Sequence, residues 1–333
     1  MSRTVWAWVR LLAAAAILAV LVRHVGAGPF LDGLRKVSGW SLATAAGLTL
    51  VTTVCSAWRW RAVARGLGVG LPLGTATAAY YRSQFLNTVL PGGILGDVHR
   101  AVSHGRQAGD VGRGLRAVAW ERSAGQLLQV VVALTVLLVL PSPVRPFLPV
   151  ALVVTAAAAL IAALVLRVLP RDGTTRRARA VRAAALDVRN GLLAPGAWPA
   201  VVVASLLVIA GHTATFVVAT RTAGVDAPLL QMLPLVMLVM LAMAIPTNIG
   251  GWGPREGVAA WLFAIAGLGA AQGVAAATVY GVMVLAGTLP GAVVLLVSWA
   301  SPGRPAHPEP AGDPTASGEP TPTLPRAGDL ARG

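Results

Sequence analysis

Acidic residues follow two glycine-containing interruptions of otherwise apolar sequence. The first interruption, at residues 91–93, precedes Asp97, and the second, at residues 250–253, precedes Glu256. An arginine stands close to each of these acids. Ionised side chains at membrane depth usually contact a substrate or an ion, or pair with one another. The residue types therefore suggest the recognition of a charged group inside a membrane.

The composition indicates an integral membrane protein. The chain has 333 residues, of which 56% are hydrophobic and only 12% are charged, and its mean hydropathy is +0.72. A soluble protein of this length could not bury so much apolar side chain. The net charge of +15 comes from arginines in short loops between apolar runs, so we expect no nucleic-acid partner. Cys55 is the only cysteine, and no internal disulfide can form.

Several apolar runs are long enough, with their flanks, to cross a bilayer. They are residues 6–22, 40–58, 117–140, 147–169, 198–220 and 274–299. The connection at residues 170–197 is the most basic, and the positive-inside rule places it in the cytoplasm. Residues 301–333 are rich in Pro, Gly, Ala, Thr and Glu, so we expect a disordered cytoplasmic tail after a membrane domain of residues 1–300. The predicted fold is an all-α polytopic helical bundle in the bacterial cytoplasmic membrane.

The two interruptions predict re-entrant segments. Residues 73–98 carry the first, and the basic loop at residues 100–116 then belongs in the cytoplasm, so this segment would enter and leave on the cytoplasmic side. The second interruption lies between apolar residues 229–245 and 258–268, and loop charge makes it open from the outer side. Two broken segments that enter from opposite faces are typical of an inverted repeat whose half-helices meet at a substrate site.

Each interruption implies a polar cavity, because backbone outside the helical pattern at membrane depth needs partners from protein or water. A helix that restarts after Gly93 would turn free N–H groups toward that cavity, which suits an anionic group such as a phosphate. Alternatively, the glycines only allow close helix crossing and the prolines only kink the helices. The residues predicted to bind a lipid headgroup are Arg82, Asn87, Gly92, Gly93, Asp97, Arg100, Glu121, Arg122, Asn248, Gly250, Gly251, Arg255 and Glu256.

The acids within or near the membrane allow two interpretations. Asp97, Glu121 and Glu256 could carry coupling protons, or could orient arginines toward a lipid phosphate. Alternatively, each acid forms a structural ion pair at a helix end, Glu121 with Arg122 and Glu256 with Arg255. We favour the functional interpretation for Asp97 and Glu256 and leave both open for Glu121.

No motif for enzymatic chemistry is found in the sequence. It has no nucleophile elbow, P-loop or dinucleotide-binding glycine pattern. His212 has no second ligand at helical spacing that would make a metal site. We therefore expect no catalytic activity, no cofactor and no metal, and we expect His212 to form a hydrogen bond between helices.

Three groups of residues resemble a known family. They are residues 85–93 with Gly96, Asp97 and Arg100, then Glu121 and Arg122 with Gly125, then residues 250–253 with 255–257. In this order and spacing, the chain resembles the membrane domain of bacterial lysylphosphatidylglycerol synthase/flippases over roughly residues 6–299. The resemblance implies movement of a modified anionic phospholipid between leaflets, and a similar relation to proteins proposed to act on polyprenyl-linked glycans. Bifunctional members carry a soluble aminoacyl-transferring domain after the membrane part, so the resemblance implies the lipid-handling half and not the synthase activity.

The function predicted from these features is the binding and translocation of an anionic or polyprenyl-phosphate-linked lipid. Membrane lipids are the expected partners, and a separately encoded lipid-modifying transferase is a further candidate. Two alternatives stay open: an ion-coupled transporter of a small anion, and a non-transporting scaffold for cell-envelope enzymes. A lipid transporter should have a lateral opening for hydrocarbon chains, whereas a solute carrier should be closed on its sides.

Overall fold

The computed structural model describes residues 19–20, 22–90, 93–149, 152–153, 155–157, 160–161, 164, 176–243 and 252–300. The predicted tail at 301–333, most of the first predicted span, and Gly92, Asn248, Gly250 and Gly251 lie outside these residues. The described part of the chain is helical and contains no β-strand. This confirms the prediction of an all-α polytopic fold.

We number the helices whose bounds the structure gives α1 to α10. In chain order they are α1 (Gly28–Lys36), α2 (Gly39–Gly66), α3 (Leu73–Val89), α4 (Leu95–Gln107), α5 (Val111–Val139), α6 (Arg176–Asp187), α7 (Trp198–Thr222), α8 (Leu229–Ala242), α9 (Pro254–Ile265) and α10 (Ala270–Ala300). A 3₁₀ turn covers Arg145–Phe147, and a π-helical turn covers Val188–Leu192. Helices α2, α5, α7 and α10 are long and apolar enough to cross a membrane.

Helix α2 continues well beyond the predicted span that ends at residue 58. It begins at a capping box, in which Ser38 and Ser41 bond each other's backbone N–H groups, and such reciprocal bonds satisfy donors that a helix start leaves free. It ends at Gly66, two residues before Gly68, whose φ is +77°. The additional turns bring Arg59 into the helix, and this residue is central to the site described below.

The first interruption lies between two antiparallel helices, α3 and α4, which together we name the first hairpin. Gly93 has a φ of +62°, a conformation that glycine adopts readily and that other residues avoid. The side-chain oxygen of Asn87 then accepts a hydrogen bond from Gly96 N–H at 2.8 Å. A Cβ on Gly96 would lie 2.0 Å from the carbonyl oxygen of Ser83, so only glycine allows the helices to approach this closely.

Helices α8 and α9 flank the second interruption and form the second hairpin. Gln231, near the start of α8, donates to the carbonyl of Ala266, just after the end of α9, at 3.3 Å, so these helices are also antiparallel. Helix α9 begins at Pro254, four residues before the apolar segment at 258–268, so Arg255 and Glu256 lie in its first turn. Proline in the first turn and glutamate at its third position are typical of a helix start. The membrane face from which each hairpin enters, and the inverted repeat, stay predictions.

The packing of the long helices separates an apolar region from a charged one. Large, fully buried side chains from α7 to α10, including Phe216, Leu235, Leu262 and Met283, form the main apolar core. On the other side, α2 packs antiparallel against α7, and the first hairpin packs against α2 and α5. The polar faces of α2, α3, α4 and α5 therefore meet inside the bundle.

Candidate functional site

Glu121 of α5 is the centre of a buried network of charged side chains. Its side chain has no exposed surface. Arg59 of α2 donates to its Oε1 atom from Nε at 2.8 Å and from Nη2 at 2.5 Å, and Arg100 of α4 donates to Oε2 at 3.2 Å. The hydroxyl of Tyr80 donates to Oε1 at 3.2 Å. One carboxylate of α5 thus bonds residues of three other helices, α2, α3 and α4, and a buried charge requires several such partners.

Asp97 of α4 is the second acid of the network. Its Oδ1 atom accepts hydrogen bonds from Arg100 Nη2 at 2.9 Å and from Ser83 Oγ at 3.0 Å. Its Oδ2 atom accepts from Asn87 Nδ2 at 2.9 Å and from Arg122 of α5. The Asn87 amide thus makes two bonds: its oxygen accepts from Gly96 N–H at the start of α4, and its nitrogen donates to the Asp97 carboxylate. Since its oxygen occupies the Gly96 N–H group, that donor is not available to a ligand.

Arg100 is held by aromatic rings as well as by acids. Its guanidinium carbon lies 4.4 Å from the centre of a Trp60 ring and 4.1 Å from the centre of the Tyr80 ring. These are favourable cation–π distances. His104 contacts the edge of Trp60, with 5.1 Å between ring centres. Arg100 is 1% exposed, so it supports the network from within and does not reach solvent.

Arg122 is the arginine of the network that is most open to an incoming group. Its side chain is 45% exposed, compared with 7% for Arg59 and 1% for Arg100. It faces a cavity of about 250 Å³ inside the bundle. The cavity is lined by Ser56, Arg59, Tyr80, Gln84, Asn87, Asp97, Arg122, Gly125, Gln126, Gln129, Ser205, Val208, Ile209, His212, Met240, Met243 and Tyr280. We name it the central cavity.

Both hairpins contribute to the central cavity. Asn87 stands near the end of α3, and Met240 stands near the end of α8, so each helix that leads into an interruption reaches the same space. Residues 244–251 lie outside the described residues, so the prediction that each interruption borders a polar cavity stays a prediction. His212 lines the cavity too, and its Nδ1 atom lies 3.3 Å from the hydroxyl of Tyr280 on α10. The predicted interhelical hydrogen bond of His212 is confirmed.

The charged pair of the second hairpin is arranged differently. Glu256 accepts from Arg255 Nε at 2.9 Å and Nη2 at 2.5 Å, and its other oxygen accepts from Gly253 N–H at 2.7 Å. Arg255 also lies 5.0 Å from the Trp252 ring and 5.4 Å from the Tyr280 ring. The described lining of the central cavity contains neither charged residue. Among the described residues, Tyr280 contacts Arg255 and also lines the cavity.

The structure brings five of the thirteen predicted residues into one cluster: Asn87, Asp97, Arg100, Glu121 and Arg122. Of the others, Arg82 is half-buried and does not line the central cavity, and Gly93 forms the turn of the first hairpin. Arg255 and Glu256 form the separate pair, as the alternative interpretation predicted. Gly92, Asn248, Gly250 and Gly251 lie outside the described residues.

The alternative pairing of Glu121 with Arg122 is wrong. Neighbouring residues within a helix point in different directions, and here Arg122 turns to Asp97 while Glu121 turns to Arg59 and Arg100. Glu256 and Arg255 can pair because they lie in the first turn of α9, where Glu256 folds back to Gly253. Partner choice thus depends on the position of each residue along its helix.

Sequence reasoning missed Arg59, which lies just beyond the predicted span that ends at residue 58. The pattern that could have revealed it is the polar series Thr52, Ser56 and Arg59. This spacing places all three on one face of a helix, and all three are buried. Arg59 Nη1 also donates to Ser205 of α7 at 2.9 Å, which fixes α2 against α7 beside the cavity.

An apolar groove of about 620 Å³ lies beside the central cavity, between α5, α7 and α8. Ile209 lines both the groove and the cavity. The groove is otherwise lined by Val132, Val136, Leu206, Ala210, Thr213, Ala214, Val217, Leu229, Leu233 and Met237. The charged cavity and the apolar groove therefore share one lining residue, Ile209 of α7.

Comparison with known proteins gives one family match. Residues 7–291 match the family model described as the lysylphosphatidylglycerol synthase TM region. No curated protein and no solved structure matches the chain.

Proposed function

The chain belongs to the lysylphosphatidylglycerol synthase transmembrane family, and from this premise we propose that it binds an anionic lipid headgroup in the central cavity and helps the lipid cross the membrane. The lipid would be a phospholipid or a polyprenyl-phosphate-linked lipid of the cytoplasmic membrane. A separately encoded transferase that modifies this lipid would be a partner. The chain itself would perform no covalent chemistry.

The observation that carries this proposal is the open guanidinium of Arg122. The network contains three arginines and two carboxylates, so an anion entering the cavity would balance its charge. Arg122 is exposed to the cavity and is held by one acid, Asp97. Asp97 has three other donors, Ser83, Asn87 and Arg100. It can therefore release Arg122 to a phosphate without becoming an unpaired buried charge, which would be costly.

The apolar groove favours a lipid over a small water-soluble anion. A headgroup beside Arg122 would leave its hydrocarbon chain close to Ile209, which borders the groove. The groove is lined almost entirely by aliphatic side chains, and a hydrocarbon chain needs such a surface. A carrier of a small soluble anion has no use for this neighbouring space.

Reconstitution into vesicles tests the proposal. Fluorescent phosphatidylglycerol is distributed over both leaflets, and dithionite quenches only the outer leaflet, so lipid movement appears as additional quenching. We expect the chain to accelerate this movement over empty vesicles. Arg122→Gln should slow it about tenfold, which corresponds to the loss of one charge-assisted hydrogen bond.

Arg106→Gln is the matched control, because Arg106 is exposed at the end of α4 and is not part of the described cavity lining. This variant should move lipid at the wild-type rate. Vesicles containing fluorescent polyprenyl phosphate form a second arm of the same experiment. The proposal is overturned if neither lipid moves faster than in empty vesicles. It is also overturned if trapped inorganic phosphate moves while both lipids do not, since that result identifies a small-anion transporter.

A further inference from the structure

A second cleft lies at the end of α2, on the face opposite to the central cavity. It has a volume of about 330 Å³ and lies between the last turns of α2 and the segment from the π-helical turn into α7. Arg59 and Arg61 are two residues apart, so they point to opposite sides of α2. Arg59 lines the central cavity, whereas Arg61 and Arg65 line this second cleft. We name it the peripheral cleft.

The peripheral cleft is basic and has no acid in its described lining. Arg61 and Arg65 stand one helical turn apart, and Asn190 faces them from the opposite wall. The described residues give neither arginine a carboxylate partner. The Nε–H group of Arg61 is buried and has no acceptor there. A buried donor without an acceptor is unfavourable, and an anionic oxygen in the cleft would supply one.

The order of residues along α2 suggests what kind of anion fits. Trp58 lies deeper in the helix than Arg61 and Arg65, and its ring is 38% exposed. The rise of an α-helix places Trp58 roughly 10 Å from Arg65 along the helix axis. Trp198, at the start of α7, is 51% exposed, and such tryptophans favour the membrane–water interface. An apolar ring followed by two guanidinium groups matches a lipid whose chain lies deeper than its phosphate.

We propose that the peripheral cleft binds the phosphate headgroup of an anionic lipid in the leaflet next to the basic loops, without transporting it. Arg61 and Arg65 would hold the phosphate, and Asn190 of the π-helical turn would donate a hydrogen bond to it. Trp58 would contact the part of the hydrocarbon chain nearest the headgroup. The opposite wall is built from small residues such as Gly196 and Ala197, which leave room for the headgroup. This site is independent of the function proposed for the central cavity.

Lipid titration of the purified full-length chain tests the proposal. Binding of phosphatidylglycerol in detergent is measured by native mass spectrometry, in an Arg122→Gln background so that the central cavity contributes little. Phosphatidylcholine and glycerol phosphate serve as further ligands. We expect Arg61→Gln with Arg65→Gln to weaken phosphatidylglycerol binding about tenfold or more. Phosphatidylcholine should bind weakly both to the Arg122→Gln protein and to the same protein with the two cleft arginines replaced.

A charge-matched control separates a built site from general attraction. Arg106→Gln with Arg179→Gln removes two exposed arginines elsewhere and should leave the affinity unchanged. If Arg61→Gln with Arg65→Gln does not fold, the affinity of Arg65→Gln alone tests the site. The Arg65 side chain is exposed, so its replacement should not disturb packing. Equal phosphatidylglycerol affinity in the cleft variant and the control overturns the site. Glycerol phosphate binding as tightly as the lipid overturns the assignment to a lipid and indicates a free phosphate ester.

Discussion

The two hairpins share a sequence pattern but use their charges in opposite ways. Each has a glycine with positive φ in its interruption, Gly93 in the first and Gly253 in the second, and each then starts a helix that carries an acid and an arginine. In the first hairpin the bonds of the acid and the arginine extend to α5. In the second hairpin both oxygens of Glu256 bond within the first turn of α9.

The spacing of the charged residues explains this difference. Asp97 and Arg100 are three positions apart, so they share one bond across a helical turn and each keeps bonding positions for other helices. Arg255 and Glu256 are adjacent, and the acid is fully used by its neighbour and by the helix start. The first hairpin therefore shares its charges with α5, whereas the second holds a closed pair within the start of its own helix.

The largest effect on stability is expected from Glu121→Gln, because the charge of this acid balances arginines from two helices. Removing the charge leaves Arg59 and Arg100 buried with only Asp97 nearby, and breaking a buried pair in this way costs about 3–5 kcal/mol. We expect a strong loss of thermal stability, measured by fluorescence-detected size exclusion of the heated protein in detergent.

Glu121→Asp is the control that separates the effect of charge from that of side-chain shape. It keeps the carboxylate and should retain part of the stability. If Glu121→Gln melts at the wild-type temperature, the first hairpin does not depend on the charge network. The proposed contrast between the hairpins would then be wrong.

The second hairpin should tolerate the loss of its charges if both are removed together. Glu256→Gln leaves Arg255 without a carboxylate partner among the described residues, next to the Trp252 and Tyr280 rings, and should cost about 3 kcal/mol. Combining it with Arg255→Met should bring the unfolding free energy back to within about 1 kcal/mol of wild type, because a closed buried pair can often be replaced by apolar groups. The glutamine oxygen can still accept from Gly253 N–H.

A double-mutant cycle from chemical unfolding measures this recovery, and lipid movement in vesicles should stay near the wild-type rate. If the double variant is stable but moves no lipid, the pair acts in transport. The second hairpin would then resemble the first in function as well as in sequence.

The sequence predicted α2, α5, α7 and α10 and the helices on either side of each interruption, because apolar run length and glycine or proline interruptions are local signals. The spans predicted at residues 6–22 and 147–169 lie largely outside the described residues. The sequence also placed Asn87, Asp97, Arg100, Glu121 and Arg122 in one site. It could not predict which acid pairs with which arginine, since that depends on how α2, α4 and α5 pack. Arg59 was missed because nearby tryptophans and arginines are equally typical of a membrane surface.

A smaller effect is expected from filling the space beside Arg59 with Gly125→Ala. The added Cβ would lie 2.7–3.0 Å from guanidinium atoms of Arg59, and these atoms cannot move away without weakening the bonds to Glu121. Overpacking costs about 1–3 kcal/mol, and the better helix propensity of alanine returns about 1 kcal/mol. We expect a net loss of about 1 kcal/mol and slower lipid movement.

Gly47→Ala is the matched control on α2, because a Cβ there has no neighbour within 4 Å and should make the protein slightly more stable. Equal behaviour of the two variants in melting and in transport would contradict a tightly packed Arg59.

The smallest effect on stability should come from the tight connection that follows each hairpin, which we call its corner. Both corners contain glycines with positive φ, Gly109 after the first hairpin and Gly267 and Gly269 after the second. The first corner also contains Asp110, whose carboxylate accepts from Arg113 N–H at 2.8 Å and caps α5. This backbone hydrogen bond lowers the pKa of Asp110. A carboxylate with a lowered pKa stabilises the fold above its unfolded-state pKa, and the stabilisation is lost as the pH falls through the folded-state pKa.

Asp110→Ala should therefore lower the melting temperature slightly at neutral pH, and the difference from wild type should shrink in acid as the wild-type carboxyl group is protonated. Asp110→Asn should melt close to wild type at neutral pH, because asparagine caps helices about as well as aspartate. Parallel melting curves at several pH values measure both differences. If the deficit of Asp110→Ala is the same at every pH, the charge of Asp110 does not contribute to stability, and the corners of the two hairpins do not differ in a charge-dependent cap.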